Sequence, residues 1–282
     1  MNRDVEASRR RVVRNRAASD GVVVGIDDVV ADAGPGEGEG GGMSAEDAAA
    51  LGALLDRAPS AVLTPESIDG PYWFDVDTVR GDLREDRPGL DTHLALRVVE
   101  RRGDGFVPVG DAVVEVWHCD AGGVYSGFEE LSRMEIPIPM GEDGLPIGPP
   151  PGGDAGPSDG SYSAGVPESG RTDDGTYLRG AQPTDADGIA YFTTIYPGWY
   201  VSRTVHIHVK VHRARRNVLT AQLFLDDRLN DEIFATVYPY TDHVGRDTRN
   251  DTDFIYTPEC RLAAERARDG GVLAAITLGV SG

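Results

Sequence analysis

Lysine and cysteine are both scarce in this sequence of 282 residues. Of its 27 basic side chains only Lys210 is a lysine, and all the others are arginines. The two cysteines, Cys119 and Cys260, are too few for a disulfide framework and lack the spacing of a zinc motif. We therefore expect two buried free thiols, and a single bridge between them is the alternative.

Long apolar runs are missing as well. No stretch approaches the roughly 18 apolar residues that a membrane-spanning helix requires, so we expect neither a spanning segment nor a membrane partner. The net charge of -20 and the isoelectric point near 4.6 give a surface that repels phosphate, which argues against nucleic acid as a partner. The acidic, lysine-poor composition suits a salt-rich environment, and a GC-rich genome would give the same arginine bias.

Residues 1–42 combine an arginine cluster with the run GPGEGEGGG and are predicted to form a disordered tail. The arginines are similar to the start of a twin-arginine export signal, which needs about 7–15 apolar residues after the charges. Here Asp27 and Asp28 follow a much shorter apolar stretch. A cytoplasmic location is therefore favoured, and export through a degenerate twin-arginine-like signal stays open.

After this tail, residues 43–282 read as one domain. Ser44 is a suitable N-cap, and the spacing of alanine and leucine over 44–58 predicts a short amphipathic helix. The helix could pack against a second copy of the chain, so a homo-oligomer stays open. Short runs separated by turn residues then predict an all-β fold with a β-sandwich core. The predicted strands lie at 94–100, 112–119, 188–196, 205–212 and 221–226.

The stretch from about 135 to 176 is rich in glycine, proline, serine and aspartate. A structureless loop of this length is unusual inside a compact domain and is often functional or disordered. We expect an excursion from the sandwich, which either covers the mouth of a site or is a surface insertion.

The strand at 205–212 alternates strictly, with valine and isoleucine on one face and polar side chains on the other. His206 and His208 lie on the polar face and, two positions apart, can hold one metal ion. Two surface histidines are the alternative. Tyr200 lies six residues before His206 in the turn PGWY, and Tyr125 follows another strand after a glycine pair.

Two imidazoles and two phenols are an unusual set for zinc, which favours cysteine, histidine and carboxylates. Phenolate is a hard, anionic donor that suits Fe(III). Two phenolates and one hydroxide would neutralise its charge, and the metal would lower the tyrosine pKa values below their usual value of about 10. Taken singly, each of these residues is more often a packing residue.

The segments DAVVEVWHCDAGGVYSGF, TYLRGAQPTDADGIAYFTTIYPGWY, RTVHIHVKV and AQLFLDD resemble the intradiol ring-cleavage dioxygenase family, which includes catechol 1,2- and protocatechuate 3,4-dioxygenases. The resemblance covers roughly residues 63–256 and is weakest in the Gly/Pro-rich insertion. It implies a β-sandwich core and a non-haem Fe(III) held by Tyr125, Tyr200, His206 and His208.

The resemblance also implies an activity and further roles. A catechol-type substrate and O2 would give a cis,cis-muconate-type diacid by cleavage between the two hydroxylated carbons. Arg203 would face the substrate, Gln222 would orient it, and Tyr200 would leave the metal and act as a base. Tyr72, in GPYW, matches a pocket-wall segment, with core packing as the alternative. The link between Tyr200 and His206 is shorter than in the two enzymes named above, which leaves the catechol derivative open.

Two other interpretations remain. A non-catalytic transthyretin-like or carboxypeptidase-regulatory-like binding module fits the DG turn and the PGWY ending but gives no reason for HIH and Arg203. A metal-dependent hydrolase would need carboxylate ligands and an open water position. For His118 a structural hydrogen bond is expected, and Tyr177 and Tyr196 are expected to be packing residues. The remaining histidines, His93, His212 and His243, have no comparable support as ligands.

Overall fold

The computed structural model describes residues 43–57, 62–133 and 152–282. The predicted tail, residues 1–42, lies outside the described residues. The helices within these ranges are Ala45–Arg57 (α1), Glu129–Arg133 (α2) and Asp227–Thr236 (α3), with 3-10 turns at Tyr240–Asp242 and Pro258–Cys260. The strands are Asp91–Arg102 (β1), Gly105–Pro108 (β2), Ala112–Trp117 (β3), Asp154–Asp159 (β4), Ala164–Ser169 (β5), Arg179–Pro183 (β6), Ile189–Ile195 (β7), His206–Arg213 (β8), Arg216–Phe224 (β9), Ala263–Arg266 (β10) and Val272–Val280 (β11). The predicted all-β class is confirmed.

Two sheets enclose the main core. In the first, β1 pairs with β11 in parallel along one edge and with β7 and β2 antiparallel along the other, while β10 pairs with β11. The second sheet is antiparallel, in the order β6-β3-β8-β9. Leu94 and Phe192 from the first sheet and Val114, Ile207 and Leu223 from the second belong to one buried cluster. This arrangement is the β-sandwich that the sequence predicts.

Strand β8 lies inside its sheet, between β3 and β9, and is buried on both faces. The apolar face, with Ile207 and Val209, fills the core between the sheets. The opposite face carries His206, His208 and Lys210, and these side chains are buried as well. Polar groups are buried only where they find partners, so the second face of β8 is where a site is to be sought.

Helix α1 covers the outer face of the first sheet. The Asp47 amide donates to the Ser44 hydroxyl at 3.1 Å, so the predicted N-cap is confirmed. Leu51 and Leu54 pack against small residues of the sheet, including Ala95 and Ala275, which allow close approach. The helix therefore buries its apolar stripe within its own chain. Within the described ranges, no helix has both the length and the apolar character needed to cross a membrane.

The predicted insertion, 135 to 176, contains two described strands. Residues 134–151 lie outside the described residues, but β4 and β5 pair as an antiparallel hairpin. The Ser169 amide donates to the Trp73 carbonyl oxygen at 2.9 Å, which fixes the hairpin to the domain. The hairpin forms a sheet of its own, apart from the two main sheets. Backbone pairing and this tertiary contact compensate for a composition that disfavours strands.

Candidate metal centre

Strand β8 begins with the two predicted histidines. The Nε2 atoms of His206 and His208 lie 3.2 Å apart. The Nδ1 atom of His206 lies 2.6 Å from the Thr204 carbonyl oxygen, so Nδ1 carries the proton and Nε2 keeps its lone pair. Burial, aided by the charge of Arg203, lowers the pKa of His206 to about 3. Burial also lowers the pKa of His208 well below its ordinary value, so both rings are neutral donors at pH 7.

A tight turn brings Tyr200 to the same histidines. The Arg203 amide donates to the Tyr200 carbonyl oxygen at 3.0 Å, and Ser202 has a φ of 69° at the bend. The phenol Oη of Tyr200 lies 3.3 Å from Nε2 of His206. Burial raises the pKa of this phenol, and the Arg203 guanidinium partly offsets that effect. The turn therefore adds one oxygen donor to the two imidazole nitrogens.

Tyr125 reaches the site on the loop that follows β3. The Asp120 carboxylate closes this loop by accepting two backbone N–H groups, at 2.9 and 3.0 Å. Gly123 has a φ of 85°, and a Cβ there would lie 2.3 Å from the Trp199 carbonyl oxygen. Only glycine allows this approach, so the glycine pair seen in the sequence lets the loop of Tyr125 pack against the segment that carries Tyr200.

The hydroxyl of Tyr125 is buried and makes no well-formed hydrogen bond with any residue of the described part of the chain. Its ring packs against those of Tyr72, Tyr200 and His208, with centroids 4.9, 5.7 and 6.0 Å away. Burial raises the pKa of Tyr125 well above its ordinary value. An unpaired buried hydroxyl normally costs about 1–3 kcal/mol. A buried hydroxyl of this kind, on a ring that packs against those of Tyr200 and His208, fits a ligand of a cation.

The four side chains form a donor set of two neutral imidazoles and two phenols. Among the described residues, no group of three or more histidine, cysteine, aspartate or glutamate side chains is arranged to hold a metal ion. Only His206 and His208 of the four donors are of these residue types, so a group of two histidines and two tyrosines is not covered by that finding. Zinc sites are built from histidine, cysteine and carboxylate ligands, whereas two phenolates suit a hard trivalent ion. The residues present therefore fit Fe(III).

Arg203 lies beside these four side chains, and each of its three guanidinium nitrogens has a contact within the protein. Its Nε donates to the Asp253 carboxylate at 2.9 Å, and its Nη2 donates to Oε1 of Gln222 at 2.5 Å. Its Nη1 lies 3.4 Å from the Tyr200 hydroxyl. Burial alone would raise the pKa of Asp253, but the Arg203 charge and a hydrogen bond from the Thr204 amide hold it below its ordinary value. A buried cation is thus fixed beside the Tyr200 phenol.

Gln222 stands opposite His208 in the pairing of β8 with β9. Its Nε2 donates to the Ile68 carbonyl oxygen at 3.1 Å. Tyr72 is buried, and burial raises its pKa to about 12, with a contribution from Tyr200. The structure therefore brings together every predicted site residue: Tyr72, Tyr125, Tyr200, Arg203, His206, His208 and Gln222.

The other histidines and the cysteines have structural partners or buried positions. His118 contacts the Cys119 carbonyl oxygen at 2.8 Å and the Thr194 hydroxyl at 2.7 Å, as expected. A ring nitrogen of each remaining histidine is within hydrogen-bond distance of an oxygen: His93 of the Thr193 hydroxyl, His212 of the Glu115 carboxylate and His243 of the Trp199 carbonyl oxygen. Cys119 and Cys260 are buried free thiols, which confirms the prediction.

Sequence reasoning missed Asp253. The Asp253 side chain is fully buried and holds both Arg203 and the backbone of Thr204. It lies in the segment RNDTDF, and nothing there distinguishes it from the other acidic residues among the 47 of the chain. Its partner lies 50 positions earlier, so only the fold reveals the pair.

Comparison with solved structures identifies the architecture. An intradiol ring-cleavage dioxygenase from Tetranychus urticae is 24% identical, with a TM-score of 0.62, and the match covers 78% of this chain and 95% of that one. A second crystal structure, of a dioxygenase, is also 24% identical with a TM-score of 0.62, over 79% of this chain and 95% of that one. The chain has the intradiol dioxygenase fold. No family model and no curated protein matched the sequence.

Within this fold the candidate site occupies the polar face of β8 and the loops beside it. The coverage of 95% means that nearly all of the two solved chains has a counterpart here. The predicted β-sandwich of this fold is confirmed. Because the identity is low, the likeness establishes the architecture, and the chemistry has to be argued from the side chains.

Proposed function

We propose that this protein is a non-haem Fe(III) dioxygenase that opens a catechol-type ring between its two hydroxylated carbons. The observation that carries the proposal is the convergence of Tyr125, Tyr200, His206 and His208 on one buried spot, with Arg203 beside it. The fold supports it, since the two similar solved structures are described as dioxygenases. The four side chains would hold the metal through two phenol oxygens and two Nε2 atoms.

Arg203 and Gln222 account for binding of an anionic substrate. A catechol that has lost its protons carries negative charge on adjacent oxygens. The guanidinium of Arg203 is held by Asp253 and by Gln222, so it is already oriented before the substrate arrives. Preorganised donors of this kind stabilise charge that develops in a reaction. Gln222 would orient the ring, because it lies between Arg203 and the β8 histidines.

Tyr200 is the group that would take a substrate proton. Its Oη lies 3.4 Å from Nη1 of Arg203, and a phenolate there is stabilised by that cation. On substrate binding Tyr200 would leave the metal and accept the proton at Oη. The chemistry that a bound Fe(III) would supply is withdrawal of electron density from the deprotonated ring, which would make a ring carbon reactive towards O2. One carbon–carbon bond breaks and both atoms of O2 enter the two carboxylates of a muconate-type diacid.

The rival interpretation, a non-catalytic sandwich module, accounts poorly for the polar face of β8. A binding module has no need to bury Arg203, Asp253 and Gln222 in one hydrogen-bonded group next to two phenols. Burying an ion pair is costly unless its geometry is excellent. The arrangement therefore supports a catalytic interpretation over the module.

Metal analysis, visible absorbance and product analysis test the proposal. The purified protein should contain iron equimolar with the chain and show a phenolate-to-Fe(III) charge-transfer band. With a catechol and O2 it should form a muconate-type diacid. A double variant, His206→Ala with His208→Ala, is the control and should lose both colour and activity. Equimolar zinc without a visible band, or a yellow muconic semialdehyde as product, would contradict the proposal.

A further inference from the structure

The two histidines of the candidate centre are oriented by different means. His206 is fixed by a hydrogen bond between its Nδ1 and the Thr204 carbonyl oxygen. The Nδ1 of His208 is buried and has no partner among the described residues. Histidine ligands nearly always donate their second ring N–H to an acceptor, which sets the orientation of the ring. Something else must therefore hold the imidazole of His208.

Two neighbours, Trp117 and Gly70, lie against this ring. On one face, the indole of Trp117 stacks on it, with centroids 4.8 Å apart and planes 11° from parallel. Gly70 is a second neighbour, since a Cβ added to it would lie 3.1 Å from Cε1 and 3.7 Å from Nε2 of His208, and only glycine leaves the ring that space. Trp117 is paired with His208 by the sheet register. Gly70 belongs to a loop, so its position needs a separate explanation.

Lys210 supplies that explanation. It is two residues beyond His208 on the same face of β8, and it is fully buried. Its ammonium pairs with the Asp69 carboxylate, donates to the Thr220 hydroxyl at 3.1 Å, and lies 4.6 Å from the centroid of the Trp73 ring. Asp69 precedes Gly70 and Trp73 follows it. One ammonium therefore contacts the loop on both sides of the glycine that lies beside His208.

At Asp69 and Gly70 the loop borders open space. A cavity of about 520 Å³ is lined by Asp69, Gly70 and Lys210 as well as Ser67 and Thr220. Before Gly70, the Ser67 amide donates to the Thr220 carbonyl oxygen at 2.8 Å, and the Ile68 carbonyl oxygen accepts from Gln222 at 3.1 Å. After it, Trp73 accepts the Ser169 amide through its carbonyl oxygen at 2.9 Å and donates to Glu115 through its indole at 3.2 Å. Open space beside Gly70 means that packing alone does not confine it.

The residue type fits this task. All 26 other basic side chains, 27 less this one, are arginines, whereas the position facing Asp69 has a lysine. Lysine is almost never fully buried unless it is paired, and its compact ammonium can serve a carboxylate, a hydroxyl and an indole face at once. A guanidinium is larger and planar, and its donors form a rigid fork.

We propose that Lys210 is a positioning residue for the metal centre, acting through Asp69 and Gly70 on the ring of His208. The inference rests on the proposed function, since it assumes that His208 binds the metal. Without the Lys210 ammonium, the loop at Gly70 would withdraw from His208 towards the cavity. The imidazole of His208 would then turn away from the other three donors.

Lys210→Met and Asp69→Asn test this inference, with Arg213→Met as the matched control. Arg213 lies on β8 too and pairs with Glu100 and Asp111, away from the loop. Both test variants should bind iron about 10–100-fold more weakly, as is usual when an outer partner of a ligand is lost, and their charge-transfer band should shift. Arg213→Met should keep both properties of the parent. Asp69→Asn covers the case in which Lys210→Met fails to fold.

Hydrogen exchange on the metal-free proteins gives a readout that does not depend on iron. Amide protection over residues 62–76 should fall in Lys210→Met and Asp69→Asn but not in Arg213→Met. If the parent binds no iron, the proposed function is wrong, while the exchange data still report whether Lys210 holds the loop. If the parent binds iron and both test variants match its affinity and spectrum, the positioning role of Lys210 is wrong and the proposed function stands.

Discussion

The two halves of the candidate centre differ in how their polar groups are satisfied. The polar half consists of Arg203, Asp253 and Gln222. Arg203 donates to both Asp253 and Gln222, and Asp253 also accepts the Thr204 amide. The aromatic half consists of Tyr125 and the rings of Tyr200 and His208 that pack against it. The hydroxyl of Tyr125 is buried there and makes no well-formed hydrogen bond with any described residue. The polar half is therefore complete without a metal, whereas the aromatic half becomes satisfied only when a cation is bound.

This difference separates stability from metal binding. Substitutions in the polar half should destabilise the metal-free protein, because they strand a buried charge. Substitutions in the aromatic half should leave the metal-free protein nearly unchanged and reduce its affinity for iron. Four variants examine this separation.

Asp253→Ala should have the largest effect, on stability. It leaves the guanidinium of Arg203 buried without its carboxylate, a change that costs about 3–5 kcal/mol. The free energy of unfolding, measured with urea on metal-free protein, gives the value. Asp251→Ala, at an exposed position nearby, is the control and should change the free energy by no more than about 0.5 kcal/mol. Equal stabilities for the two variants would remove the polar half of the comparison.

Arg203→Ala should lower turnover while iron and colour persist, since a guanidinium does not coordinate a cation. Removal of one preorganised donor typically lowers kcat by about 10²–10³-fold. Turnover is measured below the unfolding transition, because Asp253 is also left without its cation. A colourless Arg203→Ala protein would show that the polar half does contribute to metal binding, against the division drawn here.

Tyr125→Phe should lose most of the iron, and the colour with it, yet keep the stability of the metal-free parent. The hydroxyl has no well-formed hydrogen bond to lose, so the unfolding free energy should change by less than about 1 kcal/mol. Tyr196→Phe is the contrasting control: it removes a hydroxyl that donates to Asn230 at 2.6 Å. That variant should lose about 1–3 kcal/mol of stability and keep its iron. A reversed pattern would contradict the assignment of Tyr125 as a ligand.

The sequence predicts much of this centre, because the period of two in β8 places His206 and His208 on one face and the family resemblance supplies Tyr125 and Tyr200. It does not reveal that the polar face of β8 is buried. Alternation separates the two faces of a strand, but which of them is covered depends on loops distant in sequence. Asp253 and Lys210 depend on such contacts, at separations of 50 and 141 residues from Arg203 and Asp69.

The fold was predicted unevenly for a related reason. The strands with clear alternation or β-branched runs, such as β3 and β8, were found. Strand β11 was missed although it is apolar and buried over most of its length. The sequence predicts an excursion at the β4–β5 hairpin but not its strands, because glycine, proline and serine weaken the local preference for strand. The register of the hairpin and its hydrogen bond to Trp73 depend on the folded structure, so no local sequence pattern predicts them.

Tyr200→Phe should have the smallest effect on the metal, because Tyr200 lies between the two halves. Its ring contacts Tyr125, with centroids 5.7 Å apart, and its hydroxyl lies 3.4 Å from Arg203. The variant should retain more iron than Tyr125→Phe, since Tyr200 is proposed to leave the metal when substrate binds. Its visible band should shift, because one of two phenolate donors is gone.

Turnover of Tyr200→Phe should fall nonetheless, because the base at Oη is missing while Arg203 keeps its partners Asp253 and Gln222. Iron content, visible spectrum and kcat are measured side by side on Tyr200→Phe, Tyr125→Phe and the parent. Full activity with an unchanged spectrum would mean that the phenol of Tyr200 is neither donor nor base. Tyr200 would then be a packing residue of the aromatic half, and another group of the site would be the proton acceptor.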